Sequence, residues 1–155
     1  MTMQRWTAAA LAGGLLLAAA PEVLEAQRPQ FGVQVDYGSD SDVGIGARVV
    51  GGTGRLIPSP RLSLIGSFDV YFPGGNNDFW ELNGNVAWRF PVPGLEPYAG
   101  GGLNMARNNR DTSAGLNLLV GTWFRIPGAL IKPFAELRIT LEGAEQFVLT
   151  GGIAF

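Results

Sequence analysis

The feature that most constrains this chain is a hydrophobic period of two that runs, with regular interruptions, from Gln30 to Phe155. Alternation of this kind puts every second side chain on one face of an extended segment and is incompatible with the period of about 3.6 that a helix needs. Eight segments keep the pattern: 30–38, 42–51, 61–72, 78–90, 95–107, 112–126, 131–142 and 145–155. Turn chemistry separates them, at Gly38-Ser39-Asp40-Ser41, Gly51-Gly52-Thr53-Gly54, Pro73-Gly74-Gly75-Asn76-Asn77, Pro91-Val92-Pro93-Gly94, Asn108-Asn109-Arg110-Asp111, Pro127-Gly128 and Glu142-Gly143-Ala144. These connections are too short for parallel crossovers, so consecutive segments pair as antiparallel hairpins. Most of the segments are long enough to cross a membrane core, for which a tilted strand needs about 9–11 residues. The fold class implied is all-β: an eight-stranded antiparallel up-and-down barrel.

The two faces of each strand differ sharply. In the fourth segment Trp80, Leu82, Gly84, Val86, Trp88 and Phe90 oppose Glu81, Asn83, Asn85, Ala87 and Arg89. In the seventh, Pro133, Ala135, Leu137, Ile139 and Leu141 oppose Lys132, Phe134, Glu136, Arg138 and Thr140. Alternation alone does not say which face is inside. A soluble, lipocalin-like barrel turns the apolar face inward, whereas a transmembrane barrel turns it to lipid. Three observations favour lipid. The polar face is rich in Gly, Asn, Ser and Thr, which suits a narrow, filled lumen. Aromatics of the apolar face gather near strand ends, with Phe72, Trp80, Trp88, Phe90 and Phe124 forming the girdle expected at two membrane interfaces. The last strand ends on Phe155. Composition agrees: charged residues are 15% of the chain against ~25% in soluble proteins. The basic residues include a single Lys, Lys132, so a Lys- and Glu-coated exterior is missing. A hydrophobic content of 46% excludes a disordered chain despite 23 Gly and 10 Pro.

Residues 1–26 read as a cleaved export signal. Arg5 supplies the positive charge, and 7–20 is an Ala-, Leu- and Gly-rich stretch, short of the ~20 residues that a membrane-spanning helix needs. Cleavage after Ala20 would leave Pro21 at the new terminus, so the site after Ala26 is preferred, which leaves 27–155 as the barrel domain.

Four stretches carry a resemblance to a known family: Glu96-Pro97-Tyr98-Ala99-Gly100-Gly101-Gly102-Leu103-Asn104, Ala114-Gly115-Leu116-Asn117-Leu118-Leu119-Val120-Gly121, Lys132-Pro133-Phe134-Ala135-Glu136-Leu137-Arg138, and the closing Val148-Leu149-Thr150-Gly151-Gly152-Ile153-Ala154-Phe155. Together they make the chain resemble the small outer-membrane β-barrel proteins, the OmpA-, OmpX- and OmpW-like superfamily of porin-like domains. The resemblance implies a bacterial outer-membrane location and contact with outer-membrane lipid and lipopolysaccharide. It also implies handling by periplasmic chaperones and barrel-assembly machinery, with Phe147, Leu149, Ile153 and Phe155 as the C-terminal assembly signal. The chain departs from the family in its outer loops, only a few residues each, in a long first inner connection near 51–60, and in having no peptidoglycan-binding domain after the barrel.

Residue chemistry narrows function by exclusion. Cysteine and histidine are both absent. That removes thiolate chemistry, the usual general base at neutral pH, the commonest metal ligand and every Ser–His or Cys–His arrangement. The Gly51–Gly54 and Gly100–Gly102 clusters match no phosphate-binding fingerprint and read as turn and close-packing glycines. A net charge of −2 with no basic run speaks against nucleic acid. The expectation is therefore a non-enzymatic barrel without cofactor or metal, monomeric, with a structural or interaction role. A small pore or hydrophobic-solute conduit and a soluble periplasmic carrier are the alternatives. Because eight strands leave room only for side chains, the inward charges Arg48, Asp69, Glu81, Arg89, Glu96, Lys132, Glu136 and Arg138 should form a network of ion pairs plugging the lumen. Asp36 shares that face. Asp69 and Glu81 fall near one end, where the sequence reads them as solvated rim charges.

Overall fold

The computed structural model describes residues 29–53, 57, 59–74, 79–109, 111–142 and 145–155. Residues 1–26, read from sequence as an export signal, and several residues read as turn signals (Gly54, Gly75-Asn76-Asn77, Arg110 and Gly143-Ala144) lie outside the described residues. Eight strands follow in chain order: β1 (Gln30–Gly38), β2 (Asp42–Gly52), β3 (Leu62–Tyr71), β4 (Phe79–Arg89), β5 (Leu95–Asn108), β6 (Asp111–Phe124), β7 (Lys132–Leu141) and β8 (Gln146–Ala154). Each pairs antiparallel with its chain neighbour, and β1 pairs with β8 from Gly32↔Ala154 to Gly38↔Val148, so the sheet closes into a barrel. Main-chain bonds between Phe31 and Phe155, at 3.1 and 2.8 Å, extend that seam. Closure leaves the sheet without an exposed edge.

The barrel has two ends. Connections 53–61, 90–94 and 125–131 lie at the end that also holds the start of β1 and the finish of β8, here called the terminal end. Connections 39–41, 72–78, 109–110 and 142–145 lie at the far end. Two terminal-end turns follow directly from a Pro-Gly pair. Pro93 presets its φ and Gly94 takes φ +78°, closing Val92 onto Leu95; Pro127 and Gly128 (φ +77°) close Ile126 onto Ala129 at 3.1 Å. The second turn ends β6 at Phe124, earlier than the alternation suggests. At the other end β5 and β6 each gain one residue, because their hairpin stays paired out to Asn108↔Asp111, and both strands span 14 residues.

Side-chain parity resolves the choice between the two faces. Val33, Val35, Ile45, Phe68, Leu103, Leu116, Leu118, Val120, Leu137, Phe147 and Leu149 are exposed around the barrel exterior. Gln34, Asp36, Arg48, Asp69, Glu81, Asn83, Asn117, Glu136, Arg138 and Thr150 are buried inside it. Val86 and Trp88, at 42% and 40% exposure, point outward. The lipocalin-like arrangement requires the reverse.

Candidate functional site: the closed lumen

Inward-facing residues divide the lumen into layers. Nearest the terminal end, the buried Glu96 carboxylate takes Arg89 Nη1 at 2.9 Å on one oxygen and Arg125 Nη2 at 2.7 Å on the other, with Lys132 Nζ at 4.0 Å. Arg89 also donates to the Pro60 carbonyl at 2.7 Å, tying the 53–61 connection to this cluster. Parity explains the convergence: Arg89 and Glu96 flank the β4–β5 turn, and Arg125 follows β6, whose Phe124 pairs with Leu95.

Beneath lies an apolar plug. Tyr98, Trp123 and Phe134 come from three consecutive strands, with ring centroids 6.1 Å apart for Tyr98–Trp123 and 4.7 Å for Trp123–Phe134. Val50, Ile65, Ala87, Leu119 and Ala154 complete it. Gly121 makes room for Tyr98, because a Cβ there would collide with the tyrosine ring and hydroxyl. The plug roofs a two-pronged ion pair: Arg48 Nη2 and Nη1 reach Glu136 Oε1 and Oε2 at 2.8 and 3.0 Å. Tyr98 donates its hydroxyl to Glu136 at 2.7 Å, Arg48 Nε donates to Gln34 at 2.8 Å, and the guanidinium lies 4.2 Å from the centre of the Phe134 ring. Such parallel bonds are the strong geometry for a buried arginine–carboxylate pair.

Further along, Arg138 serves two acids. Its Nη2 is 2.7 Å from Glu81 and its Nη1 is 3.6 Å from Asp69, all three side chains being fully buried. Gln146 donates to Glu81 at 2.6 Å, while Ser67 and Asn83 donate to Asp69 at 2.9 and 3.0 Å. Gln34 bridges Asp69 to Asp36, which also accepts Thr150 Oγ1 at 2.5 Å. No cation lies within ion-pair distance of Asp36 among the described residues. An amide layer of Asn83, Asn85, Asn104 and Asn117, joined by Thr140, fills the waist. Tyr71, Phe79, Ala106 and Val148 close the far end as a second apolar cluster.

All eight charges named from sequence therefore lie on the inward face, but not as one network. Arg89, Glu96 and the half-exposed Lys132 form the terminal cluster, Arg48 and Glu136 a central pair, and Asp69, Glu81 and Arg138 the distal group. Glu136 and Arg138, two apart on β7, take different partners. The rim reading of Asp69 and Glu81 is incorrect. They are paired directly across β3 and β4 and are completely buried, because Tyr71, Phe79 and Val148 cap the barrel beyond them. Phe72, Trp88, Phe90 and Phe124 are exposed at strand ends, and Trp80 is half-buried against Phe68 at 5.8 Å. Phe147, Leu149, Ile153 and Phe155 face outward on and just after β8. Sequence reasoning missed Gln34, Gln146 and the plug residues Tyr98 and Trp123. Parity with Arg48, Glu96 and Arg125 was the available signal.

No metal-binding cluster of acidic residues is present among the described residues. No family model and no curated protein matches the chain by sequence. Among solved structures, the N-terminal β-barrel domain of Pseudomonas aeruginosa OprF superposes with TM-score 0.63 at 14% identity, over 81% of this chain and 96% of that one. Neisserial surface protein A (NspA) gives 0.58 at 17% over 81% and 94%. Ail, the attachment invasion locus protein of Yersinia pestis, gives 0.54 at 13% over 81% and 93%. The chain has the fold of these small, eight-stranded outer-membrane barrels.

Proposed function

We propose that the chain is an exported outer-membrane barrel whose role is structural or adhesive rather than catalytic or conductive, a compact body that presents its ends to lipid, lipopolysaccharide or other surface molecules. One observation carries this reading: the barrel is inverted relative to a soluble protein, with apolar side chains exposed all round and charges buried within. An exterior of that kind is stable only against hydrocarbon, since contiguous apolar surface in water drives association. The closed interior supports the second half of the reading. Two apolar clusters and a hydrogen-bonded amide waist lie across the axis, and an ion crossing them would have to break the Arg48–Glu136 pair. The absence of His and Cys leaves the buried carboxylates engaged by arginine, amide and hydroxyl groups, not facing a substrate cleft.

Membrane fractionation with heat-modifiable migration on SDS gels tests the location; release with the periplasm and no detergent requirement would contradict it. Planar-bilayer recording tests the closed lumen. The expected trace is flat, and well-resolved unitary channels from the unmutated protein would assign it a pore function instead.

A further inference from the structure

The terminal end combines two properties. Its connections, with the first residue of β5, carry exposed large apolar residues: Ile57, Val92, Leu95, Ile126, Ile131 and Leu130, the last 95% exposed. It also carries excess positive charge. Arg89, Arg125 and Lys132 gather around Glu96, the one acidic side chain of that end among the described residues, and Arg61 lies in the 53–61 connection at the same end. Arg125, half-exposed, lies at the root of the 125–131 connection, and its main-chain N–H bonds the Gly94 carbonyl at 3.0 Å, so basic and apolar groups share one rim. Arg61 is exposed, and its described bonds run through its main chain.

We infer that this rim is a binding site for anionic phospholipid, with the Arg61, Arg125 and Lys132 cations against the headgroup phosphate and the Leu130–Ile131 and Val92 side chains among the upper acyl carbons. The inference rests on the membrane-barrel reading above. Charge complementarity selects the occupant. Apolar side chains beside a net excess of cations match the two halves of an anionic lipid, and juxtamembrane basic residues are drawn to anionic bilayers for this reason. A protein partner or a second copy would need acidic groups to meet the cations. The chain's own described acidic surface is at the opposite end of the barrel, at Asp40, Asp42, Asp111, Glu142 and Glu145.

Native mass spectrometry of the full chain, released from micelles carrying equal phosphatidylglycerol and phosphatidylcholine, is the test. Retention of phosphatidylglycerol should exceed that of phosphatidylcholine about tenfold, and Arg61→Gln and Arg125→Gln should each reduce that preference about threefold to fivefold. Leu130→Ser with Ile131→Ser should weaken retention of both lipids and leave their ratio unchanged. Arg61→Gln keeps the test decisive if Arg125→Gln fails to fold, because Arg125 also holds Glu96. Equal retention of the two lipids, or a preference indifferent to both arginine changes, would overturn the inference. So would a lipid-free dimer that dissociates on Leu130→Ser. A chain that needs no detergent and lacks heat-modifiable migration would instead sink the membrane reading itself, and the lipid site with it.

Discussion

The central and distal charge groups of the lumen are built from the same residue types but on different principles. Around Arg48 the ratio of cation to acid is one to one, the bonds are parallel and two-pronged, and an aromatic wall fixes the guanidinium. Around Arg138 one guanidinium stands between two carboxylates, with a third, Asp36, held by Thr150 and Gln34 alone. The first group pairs charge with charge. The second spreads surplus negative charge over neutral donors: Ser67, Asn83, Gln146, Gln34 and Thr150. Neutral donors can therefore replace cations in a narrow barrel, provided that every carboxylate oxygen is met.

The largest effect should follow from breaking the distal group at its centre. Arg138→Met leaves Asp69 and Glu81 buried without a cation and should cost about 5 kcal/mol, the upper part of the range for an orphaned buried charge. The midpoint of urea unfolding in lipid vesicles would report it. A change smaller than that of Arg48→Met would mean that the neutral donors suffice. Arg48→Met itself should cost about 3 kcal/mol, because one carboxylate, Glu136, is orphaned and Tyr98 still donates to it. Adding Glu136→Leu to Arg48→Met should recover at least half of that loss, since an apolar pair of similar volume often replaces a buried ion pair at little cost. A double variant that sums the two single losses would refute pairing as the organising feature there. Smallest is Asp36→Asn, which keeps an acceptor for Thr150 and lowers the interior charge. Its expected shift is under about 1 kcal/mol, towards higher stability. A loss of 2 kcal/mol or more would show that Asp36 engages Arg138 more strongly than their separation suggests.

Strand number and polarity were legible in the sequence because the alternation and its turn breaks carry both, and face parity survives errors of a residue or two at strand ends. The inward placement of Glu136, Arg138 and Asn83 could be read in that way. Partner choice could not. Whether Arg48 meets Glu136 or Asp69 depends on strand stagger and closure, and both acids share its face. The misplacement of Asp69 and Glu81 has the same origin. Their closeness to a strand end suggested solvent, but Tyr71 and Phe79 on the same two strands, with Val148 from β8, fold over them. Trp123 shows the converse. A tryptophan among outward-facing aromatics is easily counted with the girdle, yet its parity with Gly121 sends it into the plug.

The seam between β1 and β8 carries a consequence for how the molecule is made. Gly32 meets Ala154 across nearly the whole described chain, while every other strand pairing joins consecutive strands. The hairpins can zip locally, but the last pairing must bear the entropy of closing the longest loop, and it has to wait for the other strands. Until it forms, the sheet has two open edges and an apolar skin outside the membrane, a state prone to cross-chain pairing. The slow step of assembly is thus set by where the chain meets itself, and a host would need to hold the open sheet until bilayer and seam arrive together.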